Sequence, residues 1–441
     1  MVAQSSDGGG RSVVIVSPHF PPSTVAGVHR ARHLAKHLPR AGWNPIILCV
    51  DEAFQTERLD PDLAQLVPPT TEIVKTGAAP ARIARGFGVG DLGLRAWPHL
   101  RAALERLAAR GDVKAVMITG FPFYPMVLAP AIRRRFGLPV VLDFQDPWVS
   151  AWGAAQAPFS KAGLAHRLAR RLEPRALRGA AFVTSVSQVQ NAEIAARYAW
   201  LDADRMAAIP IGGDPDDFAA LAEGRAASPR IELAPGLIHL CYVGTFLPRA
   251  APVMRTLMRA FARLRAETPA LAARLRLRFV GTSNQLTDGA RPTVLPIAAE
   301  EGVADAVCEE PARIPFLSAL DLLTRADGVL LIGSDEPHYT ASKIYPALMC
   351  GRPHLSVFHA ASSAHAILSA AGGGCAFAFE TPGDLPGLEA PIARGLGRLA
   401  AGADRIAPPD PDSYADYLAE AVARRFGAVF DRVAAESPRR V

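Results

Sequence analysis

The chain has no apolar run near the roughly 18–20 residues that a bilayer-spanning helix needs. Its first residues, Met1 to Arg11, are polar and glycine-rich and lack the apolar core of a signal peptide; they read as a disordered tail, residues 1–11. Cysteine is sparse: Cys49, Cys241, Cys308, Cys350 and Cys375 are scattered, with no CxxC pair. That excludes a zinc ribbon and a disulfide framework and fits buried free thiols in a reducing compartment. Aromatics are 7% of residues, with no RNA-binding signature or zinc finger. There is no GxGxxG fingerprint, which argues against a nicotinamide cofactor, and no His/Asp cluster that suggests a metal.

What is present is the composition of a folded globular protein, 50% hydrophobic and 20% charged. With 441 residues it is too long for one ordinary core and suits two domains. The net charge of +6 is carried by arginine rather than lysine-rich tails, which favours an anionic small substrate and contact with a membrane surface over nucleic acid.

Short Val/Ile/Leu strands alternate with helical stretches, one of them expected over His99–Arg110. Strands are expected at 13–17, 45–50, 72–76, 115–119, 139–143, 181–185 and 207–210, then at 237–243, 275–280, 306–309, 328–332, 354–358 and 374–379. Continuous apolar strands without alternation belong to parallel sheets covered on both faces. The fold class expected is α/β, two Rossmann-like doubly wound domains facing a cleft. The N-terminal domain is expected over 12–212, a linker over 213–236, rich in Gly, Pro, Ala and Glu, and the C-terminal domain over 237–411. A final helix, 413–435 within 412–441, is placed to cross back onto the first domain.

The segment with most chemistry is His338-Tyr339-Thr340-Ala341-Ser342-Lys343-Ile344-Tyr345-Pro346, running to Gly351-Arg352-Pro353 between two strands. A helix that opens on Ser-Lys offers free backbone N–H groups, a hydroxyl and a full positive charge, so a nucleotide diphosphate is the natural occupant. In the first half, strand 139–143 ends in Asp143-Phe144-Gln145-Asp146. Either carboxylate could take a proton from an acceptor hydroxyl, and either could simply cap a helix. Phe123 and Tyr124, in the loop 119–125, could line an acceptor pocket or pack into the core. The segment 161–178 sets Lys161, Arg167, Arg170, Arg171, Arg175 and Arg178 against one acid, Glu173, with Leu164, Leu168 and Leu172 on a stripe. Such a helix lies on an anionic membrane or packs as a surface helix with a solvated basic face.

The Ser342-Lys343…Gly351-Arg352-Pro353 segment resembles the donor-binding motif of glycosyltransferases with the two-domain GT-B fold, particularly family 4. The resemblance extends over most of the chain. The loop holding Gly27, His29 and Arg30 resembles the family's loop after the first strand, which faces acceptor and donor phosphate. Val243-Gly244-Thr245 resembles the strand end that opens the donor domain, with Arg249, then Arg255, as the basic side chain against the β-phosphate. Val280-Gly281 resembles the strand end bordering the nucleotide base. The resemblance implies donor binding by Gly27, Gly244, Thr245, Arg249, Gly281, Glu336, His338, Ser342 and Lys343, acceptor binding by Phe123, Tyr124 and Arg30, and catalytic roles for Asp146, Asp143 and His29. It implies a retaining sugar transfer from a nucleotide diphosphate sugar to a hydroxyl acceptor, with no required cofactor or metal. The implied setting is bacterial surface polysaccharide or glycoconjugate assembly in the cytoplasm, peripheral to the inner face of the membrane.

The chain departs from the pattern at the two glutamates of the family motif. His338 stands at the first and Pro346 at the second, which in the family grips the ribose hydroxyls; Asp335 and Glu336 lie just upstream. The phosphate part of the motif is therefore intact and the ribose part altered. A non-catalytic nucleotide-sugar-binding scaffold and a GT-B sugar-nucleotide epimerase are the alternative readings.

Overall fold

The computed structural model describes residues 11–225, 231–283, 289–337, 342–402 and 405–436. Two compact units emerge. One comprises the chain up to Leu59, Val67–Ile211 and the chain from Ala419 on; the other comprises Asp60–Leu66 and Gly212–Leu418.

In the first unit, β1 (Arg11–Val16), β2 (Trp43–Val50), β3 (Glu72–Thr76), β4 (Val113–Gly120), β5 (Val140–Phe144), β6 (Phe182–Ser185) and β7 (Met206–Ala208) form one sheet. Its order is β3-β2-β1-β4-β5-β6-β7, and every pairing is parallel. Successive side chains of β1 feed opposite faces. Val14 and Val16 join Leu100 and Leu104 of helix Leu92–Ala108, while Val13 and Ile15 join Leu34 of helix Val28–His37. The second face is completed by Val422, Phe426 and Phe430 of helix Ala419–Glu436, and Phe430 meets Trp43 edge-on at 5.4 Å.

The second unit repeats the plan with β8 (Ile238–Val243), β9 (Leu275–Val280), β10 (Val307–Glu310), β11 (Gly328–Ile332), β12 (His354–His359) and β13 (Gly374–Phe379). The order is β10-β9-β8-β11-β12-β13, again parallel throughout. Both sheets reverse direction of strand addition once, between β1 and β4 and between β8 and β11. There the loops leaving the two strands part to opposite faces and open a crevice at the carboxyl edge, the usual ligand position in open α/β sheets.

Three boundaries differ from expectation. The stretch 213–236 contains helix Pro215–Ala222, because Asp214 accepts from the Asp216 N–H and Pro215 fits the first helical turn. The helix expected to begin at His99 begins at Leu92, capped by Asp91, and carries Pro98 within it. The final segment is not one helix: a 3₁₀ stretch, Pro411–Tyr417, precedes helix Ala419–Glu436. Of the cysteines, Cys49 and Cys241 are buried and Cys308 is exposed.

Candidate functional site

At the β8/β11 switch point the second unit gathers most of the residues expected around a donor. Lys343 is half-buried at the start of helix Ile344–Met349, beside half-buried Ser342. Its Nζ lies 4.1 Å from the centre of the Tyr242 ring and donates to the Tyr242 hydroxyl at 2.5 Å and to the Thr245 carbonyl at 3.2 Å. Among the described residues no carboxylate pairs with it. Burial pushes its pKa down from 10.5 to about 7, because nothing near it offsets the lost hydration. The chain has only five lysines, and Lys343 is the last of them. Lysine, unlike arginine, shifts its pKa readily in such a place.

The neighbouring backbone is shaped around that amine. Gly244 has φ +127, and a Cβ there would stand 3.4 Å from Cε and Nζ of Lys343. Arg313 donates to the Thr245 hydroxyl at 3.2 Å, which adds a basic group that sequence reasoning had not singled out. Gly281, φ +72, ends β9 with its N–H on the Glu310 carbonyl. Arg249 is paired with Glu336, so its charge is already offset and Glu336 is engaged. Lys343 is thus a cation that no carboxylate offsets among the described residues. Helix Ile344–Met349 has only six residues, so its dipole adds little beside a full charge. Pro346 sits inside that short helix, and Arg255 pairs instead with Glu300 and Glu301. His338 lies outside the described residues.

The first unit redistributes the expected roles. Arg30 is fully buried and donates to Asp143 at 3.1 Å and to the carbonyls of Pro210 and Ile209 at 2.6 and 2.5 Å. It cannot bind an acceptor from there. Asp143, equally buried, also accepts from Thr119 and Thr184, each at 2.8 Å, so its oxygens join three strands and are not open to a substrate. His29 accepts from Arg32 through Nδ1 at 3.3 Å, and burial and then the Arg32 charge bring its pKa down to about 3. The ring is therefore neutral with its proton on Nε2: it can donate a hydrogen bond but not take up a proton. Phe123 stacks on Trp148 at 5.6 Å and Tyr124 meets the same ring edge-on, so both pack inward, and Phe121 is the exposed aromatic of that loop. Asp146 is exposed at the end of β5.

Sequence reading missed the most organised group at this edge. His19, in the loop after β1, donates from Nδ1 to buried Glu57 at 2.8 Å, and Ser23 also donates to that carboxylate. Burial alone would raise the Glu57 pKa, but the His19 hydrogen bond and charge and the Ser23 hydroxyl outweigh it and bring it to about 2. With Nδ1 taken up by Glu57, Nε2 is the ring nitrogen left for a further hydrogen bond. The ring stacks against Phe121, 6.2 Å away and 8° from parallel, across the β1/β4 switch point. Asp91 and Glu57 are the acids near it, with Arg95 beyond them. Nearby, Gln145 donates to the Gly27 carbonyl at 3.3 Å and to Thr119 at 2.6 Å, while its Oε1 is buried without a hydrogen-bond partner. The one sequence signal was a His beside Ser in a proline-rich loop; Glu57 lies 38 residues on.

Comparison with known proteins agrees with this architecture. Residues 26–212 match the family described as "Glycosyl transferase 4-like domain". Over 128 residues the chain is 39% identical to D-inositol 3-phosphate glycosyltransferase of Stackebrandtia nassauensis; the match spans 29% of this chain and 28% of that relative's length. Among solved structures, Anabaena HepE in complex with UDP and glucose superposes with a TM-score of 0.59 at 15% identity, covering 96% of this chain and all of that one. The α,α-trehalose-phosphate synthase (UDP-forming) of Burkholderia xenovorans, in complex with glucose-6-phosphate, gives 0.63 at 14% identity, with coverage of 96% and 100%. The two doubly wound parallel sheets thus share the two-domain GT-B fold of these solved structures, and residues 26–212 are similar to the glycosyltransferase 4-like domain.

Proposed function

We propose that the protein transfers a sugar from a nucleoside diphosphate sugar to a hydroxyl acceptor, and that Lys343 holds the departing diphosphate. The observation that carries this is the Lys343 amine at the β8/β11 switch point, half-buried, beside the left-handed Gly244 and without a carboxylate partner among the described residues. A diphosphate there supplies the missing counter-charge, with Arg313 and, by sharing its Glu336 partner, Arg249 alongside. In the transfer, the bond between the anomeric carbon and the β-phosphate oxygen breaks with its electron pair left on oxygen. The acceptor oxygen bonds to that carbon, and its proton passes to the departing phosphate, a course that retains configuration as the family resemblance implies. Preorganised positive charge at the leaving group lowers the barrier without reorganisation at the moment of reaction. On the acceptor side, Gln145 Oε1 offers an acceptor and His19 Nε2 a further hydrogen-bonding position for sugar or polyol hydroxyls, and Phe121 offers an apolar ring face. Relatives named for UDP, glucose-6-phosphate and inositol phosphate make UDP-glucose and phosphorylated polyols the first substrates to try. Surface polysaccharide or glycoconjugate assembly inside a bacterium is the setting we infer.

The test is a thermal-shift panel of UDP, GDP, ADP, dTDP and CMP on the wild type and on Lys343→Ala. One diphosphate is expected to raise Tm, by about 2.7 kcal/mol of stabilisation at a hundred times its Kd, and Lys343→Ala is expected to lose the shift. An undiminished shift in Lys343→Ala would remove the assigned role.

A further inference from the structure

We infer that the outer face of helix Lys161–Gly179, with the arginine groove beside it, docks on an anionic phospholipid surface. This stands independently of the donor reading. The helix is 19 residues long, capped by Ser160, and its outward stripe follows the 3–4 spacing of one helical face: Lys161, Leu164, Leu168, Arg171, Arg175, Arg178. The stripe is therefore divided along its length, apolar towards the N-terminus and cationic towards the C-terminus. The apolar end is unusually bare. Leu164 and Leu168 are 50% and 40% exposed, Phe159 just before the helix is 83% exposed, and Trp152 on the adjoining short helix is 50% exposed. Leaving such side chains in water is unfavourable unless something covers them.

The cationic end has its own concavity. Arg133 and Arg134 of helix Ala129–Phe136 face Arg175 and Arg178 across an open groove of about 640 Å³, floored by Val127 and Pro130. Among the described residues none of these arginines, nor Arg171, has a carboxylate partner. The one acid of the helix, Glu173, is buried and taken up by the Val149 N–H and Arg197. Arg178 also lies over half-exposed Trp200, 5.2 Å from its centre, so an aromatic borders this end too.

Charge complementarity chooses the occupant. Four arginines around one groove fit a phosphate, and a phosphate alone leaves Phe159, Trp152, Leu164 and Leu168 in water. A nucleic acid matches the cations and makes no use of the two leucines. An anionic bilayer satisfies both ends at once: phosphate headgroups sit among the arginines while Phe159, Trp152 and the leucines enter the headgroup–acyl boundary, with the helix axis in the plane.

The experiment is co-sedimentation of the full chain with phosphatidylglycerol/phosphatidylethanolamine vesicles and with pure phosphatidylcholine vesicles, at low and high salt. Binding to the anionic vesicles, weakened by salt, and none to phosphatidylcholine is expected. Arg134→Glu/Arg175→Glu/Arg178→Glu is expected to weaken it at least about tenfold, and Phe159→Ser to weaken it with little change in Tm, since that ring is exposed apart from the Arg167 guanidinium over it. No binding to anionic vesicles, or binding by both variants equal to that of the wild type, overturns the proposal. Retention of a labelled RNA by the wild type without vesicle binding would also overturn it and reassign the face to a polyanion.

Discussion

If Lys343 meets the diphosphate, nucleotide binding must take up a proton. In the free protein burial holds the Lys343 pKa at about 7 against an ordinary 10.5. At pH 7 about half of the free molecules carry the proton on Nζ, and near pH 8 about a tenth do. A diphosphate beside Nζ favours the charged form and carries the pKa back towards its ordinary value. Binding should therefore absorb about 0.5 proton at pH 7 and about 0.9 near pH 8, and the affinity should weaken about fivefold between them. Calorimetry reads this directly: UDP is titrated at pH 8 in buffers of different ionisation enthalpy, and the observed heat is plotted against that enthalpy. The slope is the number of protons taken up. Lys343→Arg keeps the charge and removes the titration, so its slope should fall to near zero while binding survives. Stability follows the same linkage. The folded, ligand-free state binds fewer protons than the unfolded chain between about pH 7 and pH 10.5, so unfolding should become harder as pH rises through that window, by at most about 1.4 kcal/mol per pH unit. A slope near zero for the wild type at pH 8, with UDP binding intact, would refute the reasoning, because the amine would then be charged already or remote from the phosphates.

Two further outcomes are expected. Asp143→Asn, or Arg30→Met, should destabilise the first unit by about 3–5 kcal/mol, because each leaves the other half of a fully buried pair uncompensated; denaturant unfolding measures it, and a loss of activity with unchanged stability would restore Asp143 to the reaction. Glu57→Gln and His19→Gln should each lower kcat/KM for the acceptor by at least about tenfold without altering the UDP thermal shift. Glu57 also carries a stability term, present above its ordinary pKa of 4.5 and lost as pH falls through about 2, which Glu57→Gln should remove from the acid-unfolding curve.

The strands were legible because most are short apolar runs, those near the centre of each sheet almost wholly buried, as in β1, β5 and β11. β3, β9, β11 and β13 begin and end where the pattern placed them, and the switch points follow from their order. Helix ends were less so. The helix expected from His99 starts at Leu92, capped by Asp91, with Pro98 in its interior. The donor side was legible because its residues come as local motifs at strand ends, where backbone conformation and chemistry coincide, as at Gly244 and Lys343. The acceptor side was not, because there direction and distance decide. Arg30 and His29 are adjacent on one helix, yet one points into the core and the other rests against Arg32. Phe121 and Phe123 exchange exposure two residues apart. Glu57 reaches His19 from the far side of β2, a pairing that no spacing in the sequence announces.

The helix Ala419–Glu436 sets an order of events during synthesis. It supplies Phe426 and Phe430 to the same apolar cluster as Val13, Ile15 and Trp43, yet it leaves the ribosome after the whole second unit. The seven strands of the first unit can be made, and helix Val28–His37 laid on that face, while the part covered by the last helix stays open. Chains that stall within the second unit would present that open part to chaperones and to one another. A domain that is first in the sequence is thus the last to be sealed.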